Sequence, residues 1–155
     1  MNHLTDVTPE LLRQRGIRAL LMDFDNTIVP YTTDEPTVEM LTWLRRMQQS
    51  DLFLCVVSNS RKPRVVRFCE THDLNCVTHS RKPFQKGIRE ALKRYGLDPE
   101  TTALVGDQIY TDVLGANSGG LTSILIKPIA LHNIWLRLRH WLELPFIFLA
   151  RGRRC

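Results

Sequence analysis

Apolar residues along this chain fall into short continuous runs that alternate with longer segments of helical periodicity. The run over residues 17–24 is nearly uninterrupted and stops at the polar tripeptide Asp25-Asn26-Thr27, which predicts a buried first strand. After Pro36, apolar side chains recur at three-residue steps up to about Gln49, which predicts a helix with one buried face. The same alternation predicts strands at 52–57, 74–78, 102–105 and 121–126, and helices at 8–14, 62–72, 83–95 and 111–117.

Strands that alternate with helices in this way predict an α/β fold. Parallel strands need crossover connections, so the expected architecture is a doubly wound parallel sheet with helices on both faces. The length of 155 residues and the hydrophobic content of 43% fit one globular domain with a sizeable core. In such sheets the ligand binds at the carboxyl ends of the strands.

The net charge of +5 is concentrated at one end of the sequence. Residues 1–126 carry 15 basic and 15 acidic side chains, whereas residues 127–155 carry six basic side chains and one acidic side chain. We therefore divide the chain into a domain at 1–130 and a basic amphipathic tail at 131–155. Because the tail is strongly apolar and the rest of the chain is neutral, we expect no nucleic-acid partner.

The cysteines and the apolar segments indicate the cellular compartment. The four cysteines show no C-x-x-C spacing, and Cys55, Cys69 and Cys76 lie in or beside apolar runs, which is typical of reduced thiols. The first residues lack the pattern of a signal peptide, and no apolar stretch reaches the roughly 18 residues that span a bilayer. We expect a cytoplasmic protein, either free or associated with the cytoplasmic face of a membrane.

Polar side chains that could take part in catalysis or ligand binding follow the predicted strands. Since these strand ends meet at one edge of a parallel sheet, we expect the side chains to converge there. Carboxylates, a hydroxyl and an ammonium at such an edge suit a phosphate group and a hard divalent cation such as Mg²⁺. The residues are Asp23, Asp25 and Thr27 after the first strand, Ser58 and Asn59 after the second, then Lys82, and finally Asp107.

These residues form four motifs, in order, that resemble those of the haloacid dehalogenase (HAD) superfamily of phosphatases. The resemblance covers about residues 5–128 and implies a HAD-like Rossmannoid three-layer sandwich. Each motif alone also fits a turn, a helix cap or a solvated lysine, and the family interpretation depends on their joint occurrence. The motifs are Asp23-Phe24-Asp25-Asn26-Thr27, Ser58 at a strand end, Lys82 before a helix, and Gly106-Asp107 followed by Asp112.

The resemblance implies a role for each motif residue. Asp23 would be the nucleophile and Asp25 the general acid and base. Mg²⁺ would be bound by the carboxylates of Asp23 and Asp107 and by the backbone carbonyl of Asp25. The substrate phosphate would contact Thr27, Ser58, Asn59 and Lys82, and Asp112 would orient Lys82 or a metal-bound water.

The spacing of the motifs leaves no room for a cap domain over the site. Thr27 and Ser58 are 31 positions apart, and Ser58 and Lys82 are 24 positions apart, which the elements of the sheet consume. A capless site tolerates bulky or surface-bound phosphates better than a closed one.

In the tail, Trp and Arg border an apolar helical face, which is typical of a segment that binds an anionic membrane surface. Docking of this face on the core, or a homo-oligomer contact, are the alternatives.

Within the superfamily, the capless layout and the sequence around the motifs resemble subclass IIIA, in the branch called YqeG-like. That branch is similar to the phosphatidylglycerophosphate phosphatases, which implies a phospholipid monoester as one candidate substrate and phosphatidylglycerol as its product. The enzymatic alternative is a phosphatase for a soluble sugar or nucleotide monophosphate. The alternative from another class is a phospho-accepting receiver-like or scaffold domain, which an Asp-x-Asp after the first strand disfavours.

Overall fold

Five parallel strands form the central sheet of the computed structural model, which describes residues 1–30, 33, 35–58, 63–78, 86–107 and 114–129. The strands are β1 (Ala19–Met22), β2 (Phe53–Val57), β3 (Asn75–Val77), β4 (Thr102–Gly106) and β5 (Thr122–Leu125). Their order across the sheet is β3-β2-β1-β4-β5. The doubly wound parallel sheet predicted from the sequence is thereby confirmed.

The helices connect these strands in the predicted sequence order. They are α1 (Pro9–Gln14), α2 (Val38–Gln48), α3 (Pro63–Thr71), α4 (Lys86–Tyr95) and α5 (Leu114–Gly119), with 3-10 turns at Leu4–Asp6 and Pro99–Thr101. The prediction that Pro36 begins the second helix is wrong by two residues. The Thr37 side chain accepts a hydrogen bond of 3.2 Å from the Met40 amide and caps the helix, so the first helical residue is Val38.

Three predicted helix starts cannot be compared with the structure. Lys62, Pro83 and Thr111 lie in the segments 59–62, 79–85 and 108–113, outside the described residues. The end of α4 agrees with the prediction, because Gly96 adopts a φ of 62° directly after Tyr95. Glycine reaches this left-handed region without the steric penalty of a Cβ atom, so it ends the helix there.

The sheet separates two layers of helices. Side chains along each strand alternate between the two faces of the sheet, so each strand packs against both layers. Leu20 and Met22 pack in a cluster that includes Leu12 of α1, Trp43 of α2 and Phe68 of α3. Side chains of opposite orientation pack in a second cluster with α4 and α5, including Leu21, Leu104, Ile88, Ala91 and Ala116. Both faces of β1 are therefore buried, which explains why the central strands are continuous apolar runs rather than alternating ones.

The first seven residues contribute to the fold, although the sequence pattern predicts no element there. The amino group of Met1 donates to the Leu125 carbonyl at 3.0 Å, and the Lys127 amide donates to the Asn2 carbonyl at 3.1 Å. Val7 is fully buried, and its carbonyl accepts a 2.7 Å hydrogen bond from the indole nitrogen of Trp43. The segment therefore joins β5 to α2.

The cysteines within the described part of the chain are free thiols, in agreement with the expected reduced state. Burial raises the pKa of the Cys55 thiol to about 12, with a smaller effect from neighbouring Cys76. Burial also raises the pKa of Cys69. Both thiols are therefore protonated at neutral pH and act as small apolar side chains.

The predicted tail at 131–155 lies outside the described residues, and so the boundary at residue 130 stays a prediction. Among the residues that the structure does describe, helices are too short or too polar to cross a bilayer.

Replacing Trp43 with Phe tests the attachment of the amino-terminal segment. The change keeps an aromatic ring in the core but leaves the buried Val7 carbonyl without its indole donor, so we expect unfolding free energy to fall by about 1–3 kcal/mol. Urea unfolding followed by far-UV circular dichroism measures the difference. The control is Val38→Ala on the same helix, because Val38 is 81% exposed and its truncation should change stability by less than about 0.5 kcal/mol. An unchanged midpoint for Trp43→Phe would contradict the account.

Candidate active site

The order of the strands creates a crevice at the carboxyl edge of the sheet. From β1, the chain builds outward through β2 to β3 on one side, and then returns to place β4 and β5 on the other side. The direction of winding thus reverses between β1 and β4. In open α/β sheets this switch point is where ligands bind.

Asp23 and Asp107 follow the two strands that flank the switch point. Met22 and Val105 are register partners, and the Asp23 amide donates to the Val105 carbonyl at 2.9 Å. Asp107 comes two residues after Val105, on a strand that lies about 4.8 Å from its neighbour. The residues are only 6% and 7% exposed, respectively. Two acids that are far apart in the sequence therefore lie at neighbouring strand ends.

The chain turns back immediately after Asp23 and Phe24. The Phe24 carbonyl accepts hydrogen bonds from the amides of Ile28, at 3.0 Å, and Val29, at 3.2 Å. Asn26 has a φ of 59°, a left-handed conformation that asparagine tolerates better than most residues. This tight loop keeps Asp25 close to the strand end that carries Asp23.

Two of the predicted phosphate-binding residues are buried close to the same edge. Ser58 follows β2 directly, and its amide donates to the Val77 carbonyl at 3.0 Å. Ser58 and Thr27 are both 0% exposed, and the Thr27 hydroxyl has no hydrogen-bond partner among the described residues. The edge therefore holds hydroxyl groups as well as carboxylates, while their contact with phosphate stays a prediction.

Arg64, in the first turn of α3, belongs to the site although the sequence analysis did not select it. Its Nη2 atom lies 3.3 Å from Oδ1 of Asp25, and the side chains are 8% and 16% exposed, respectively. The same Nη2 donates to the Pro30 carbonyl at 3.1 Å, and Cζ lies 5.1 Å from the centre of the Phe24 ring. A cation in the first turn of a helix is unfavourable without an anion. The position of Arg64 in the sequence could therefore have indicated an anionic partner.

The other predicted site residues lie outside the described part of the chain. They are Asn59 after β2, Lys82 before α4, and Asp112 between β4 and α5. Their roles stay predictions.

The donor atoms of the described acids fit a hard divalent cation. Carboxylate and carbonyl oxygens are the ligands that Mg²⁺ prefers, and it retains several waters when only one or two carboxylates bind it. Within the described ranges, no group of three or more His, Cys, Asp or Glu side chains could hold a metal. The predicted set needs only two carboxylate side chains, from Asp23 and Asp107, because its third protein ligand is the backbone carbonyl of Asp25.

Comparison with known proteins supports the family resemblance over most of the sequence. The HAD-hydrolase-like family profile matches residues 79–128. A protein of Bacillus subtilis named probable phosphatase YqeG is 32% identical over 130 residues, which cover 84% of this chain and 76% of the relative.

Solved structures share the fold at low sequence identity. The cobalt-bound deoxy-D-mannose-octulosonate 8-phosphate phosphatase of Haemophilus influenzae superposes with a TM-score of 0.59 at 16% identity, over 81% of this chain and 75% of that one. The 3-deoxy-D-manno-octulosonate 8-phosphate phosphatase of Moraxella catarrhalis, solved in complex with a magnesium ion, a phosphate ion and KDO, gives a TM-score of 0.50 at 17% identity, over 64% of this chain and 63% of that one. These similarities establish a common architecture.

Proposed function

This chain belongs to the YqeG-like branch of the HAD superfamily of phosphatases, and on that basis we propose that it is a magnesium-dependent phosphomonoester hydrolase in which Asp23 is the nucleophile. The observation that carries the proposal is the position of Asp23 and Asp107 at the ends of the paired strands β1 and β4, at the switch point. The 2.9 Å hydrogen bond from the Asp23 amide to the Val105 carbonyl extends this pairing to Asp23. Asp23 is also the first of the two acids in the family's Asp-x-Asp motif.

The proposed reaction has two displacement steps at phosphorus. A carboxylate oxygen of Asp23 attacks phosphorus, the bond to the leaving oxygen breaks, and Asp25 donates a proton to that oxygen. Asp25 then removes a proton from water, which attacks the phosphorus of the aspartyl-phosphate. Inorganic phosphate leaves and the Asp23 carboxylate is restored.

Asp23, Asp107 and the Asp25 carbonyl would hold Mg²⁺ in this proposal. Bound Mg²⁺ would supply positive charge that offsets the repulsion between the carboxylates and an anionic phosphate. Ser58, Lys82, Thr27 and Asn59 would contact phosphate oxygens, with Asp112 orienting Lys82 or a metal-bound water.

For the physiological substrate we propose a phospholipid monoester, with phosphatidylglycerophosphate as the candidate. Support comes from the resemblance of the branch to the phosphatidylglycerophosphate phosphatases and from the Trp- and Arg-containing tail at 131–155. The second candidate is a soluble sugar phosphate, in line with the name of the deoxy-D-mannose-octulosonate 8-phosphate phosphatase that shares the fold.

Replacing Asp23 tests the proposed nucleophile. Asp23→Asn removes the attacking carboxylate but keeps its shape, so we expect kcat for p-nitrophenyl phosphate to fall by at least about 10⁴-fold. The matched control is Asp51→Asn, because Asp51 is exposed and precedes β2, at the opposite edge of the sheet. Retained magnesium-dependent turnover in a folded Asp23→Asn protein would exclude the covalent mechanism.

Stabilisation by Mg²⁺ tests metal binding independently of catalytic activity. At a Mg²⁺ concentration of 100 times its Kd, binding to the native state should stabilise the wild type by about 2.7 kcal/mol. Asp107→Asn should lose most of this effect, whereas Asp51→Asn should keep it. Thermal unfolding with Mg²⁺ or with EDTA measures the shift, and equal protection of Asp107→Asn and the wild type would contradict the proposed ligand set.

Reversal of charge in the tail distinguishes the lipid substrate from the soluble one. Reversing the charge of Arg151, Arg153 and Arg154 to Glu should reduce turnover of phosphatidylglycerophosphate in anionic vesicles by at least about tenfold, since each basic residue contributes about 1 kcal/mol at such a surface. Turnover of p-nitrophenyl phosphate by the same variant should be unchanged. A higher kcat/KM for a sugar phosphate than for the lipid would instead favour the soluble-substrate function.

A further inference from the structure

Three contacts of Arg64 with described residues converge on the loop after β1. Its Nη2 atom contacts Asp25 and the Pro30 carbonyl, and its guanidinium lies over the Phe24 ring. Phe24 and Pro30 lie at the two ends of the loop, and Asp25 is the proposed acid and base. We infer that Arg64 is a positioning residue, which fixes the carboxyl group of Asp25 in the place from which it donates a proton to the leaving oxygen; this inference rests on the proposed function.

The free-energy cost of burying a cation in the first turn of α3 supports this role for Arg64. Its side chain is 8% exposed, and it extends from the first turn of α3, where the helix dipole disfavours a cation. A buried ion pair is weak evidence for stability, because desolvation offsets much of the attraction. Burial of Arg64 against Asp25 is therefore better explained by the geometry that it imposes on the carboxylate.

The contacts restrict how the guanidinium can move, and through it the carboxylate. The planar fork of Arg offers several donors in fixed directions, and the Phe24 ring, whose centre is 5.1 Å from Cζ, limits the space in which the guanidinium can move. With Nη2 also bound to Pro30, displacement of Arg64 would require displacement of the loop. Asp25 is thus held relative to a helix rather than by the loop alone.

This role predicts an effect that depends on the leaving group. An aryl oxygen with an electron-withdrawing substituent leaves with little protonation, whereas an alkyl oxygen needs a proton from a well-placed acid. Misplacing Asp25 should therefore impair the first displacement selectively for alkyl phosphates. kcat/KM measures this step, because the attack of water on the aspartyl-phosphate comes later and is common to both substrates. A general loss of structure would impair both substrate types by the same factor.

The experiment compares benzyl phosphate with p-nitrophenyl phosphate, which are similar in size but differ in leaving group. Arg64→Met should lower kcat/KM for benzyl phosphate by about 10²-fold and for p-nitrophenyl phosphate by less than about fivefold. Arg64→Lys should recover part of the benzyl phosphate activity, because it retains a cation without the planar fork. The control is Arg67→Met, one turn further along α3, where the side chain is exposed and both rates should be unchanged.

A double variant tests whether Arg64 acts through Asp25. Asp25→Asn with Arg64→Met should hydrolyse benzyl phosphate no more slowly than Asp25→Asn alone, since the group that Arg64 positions is already lost. Independent, multiplicative losses would overturn the inference, as would an Arg64→Met variant that keeps the wild-type ratio of the two rates. If Arg64→Met does not fold, Arg64→Lys carries the same ratio test.

The outcomes distinguish this inference from the proposed function. Wild-type protein that hydrolyses neither phosphate in the presence of Mg²⁺ would overturn both. Wild-type turnover combined with equal losses for the two substrates in the Arg64 variants would overturn only the positioning role.

Discussion

The pairing of β1 with β4 is the constraint on which the candidate site depends. It brings Asp23 and Asp107 to adjacent strand ends at the centre of the sheet, and the hydrogen bond from Asp23 to Val105 extends the ladder to the first of these acids. Neither acid could reach the other if β4 paired elsewhere, because more than 80 residues separate them in the sequence. The core layers on both faces of β1 hold this pairing in place.

Electrostatics then determines what the site can bind. Placing several carboxylates at one nearly buried edge is costly in the absence of cations. One positive charge comes from the protein itself, since Arg64 contacts Asp25. Mg²⁺ between Asp23 and Asp107 is the proposed second source of positive charge. In this proposal the two cations have separate tasks, since Arg64 orients the proton donor and Mg²⁺ balances the charge of the phosphate.

Much of the fold was predictable from the sequence, because the strands are buried on both faces and appear as continuous apolar runs. The predicted strands agree with β1 to β5 to within two residues at each end. Sequence patterns could not predict the role of the first seven residues, since Leu4 and Val7 are isolated apolar positions without periodicity. The start of α2 depended on a local competition, in which capping by Thr37 prevailed over the preference of Pro36 for the first turn.

The acids at strand ends were equally predictable, because the carboxyl ends of parallel strands share an edge. Arg64 was not selected, since the sequence does not show which acid a helical arginine contacts; only its place in the first turn of α3 indicated an anionic partner. The most direct test of the account is a crystal structure with Mn²⁺ in place of Mg²⁺, located by anomalous scattering. We expect one anomalous peak within about 2.3 Å of carboxylate oxygens from both Asp23 and Asp107 and of the Asp25 carbonyl. A metal bound elsewhere, with these two carboxylates directed away from each other, would contradict it.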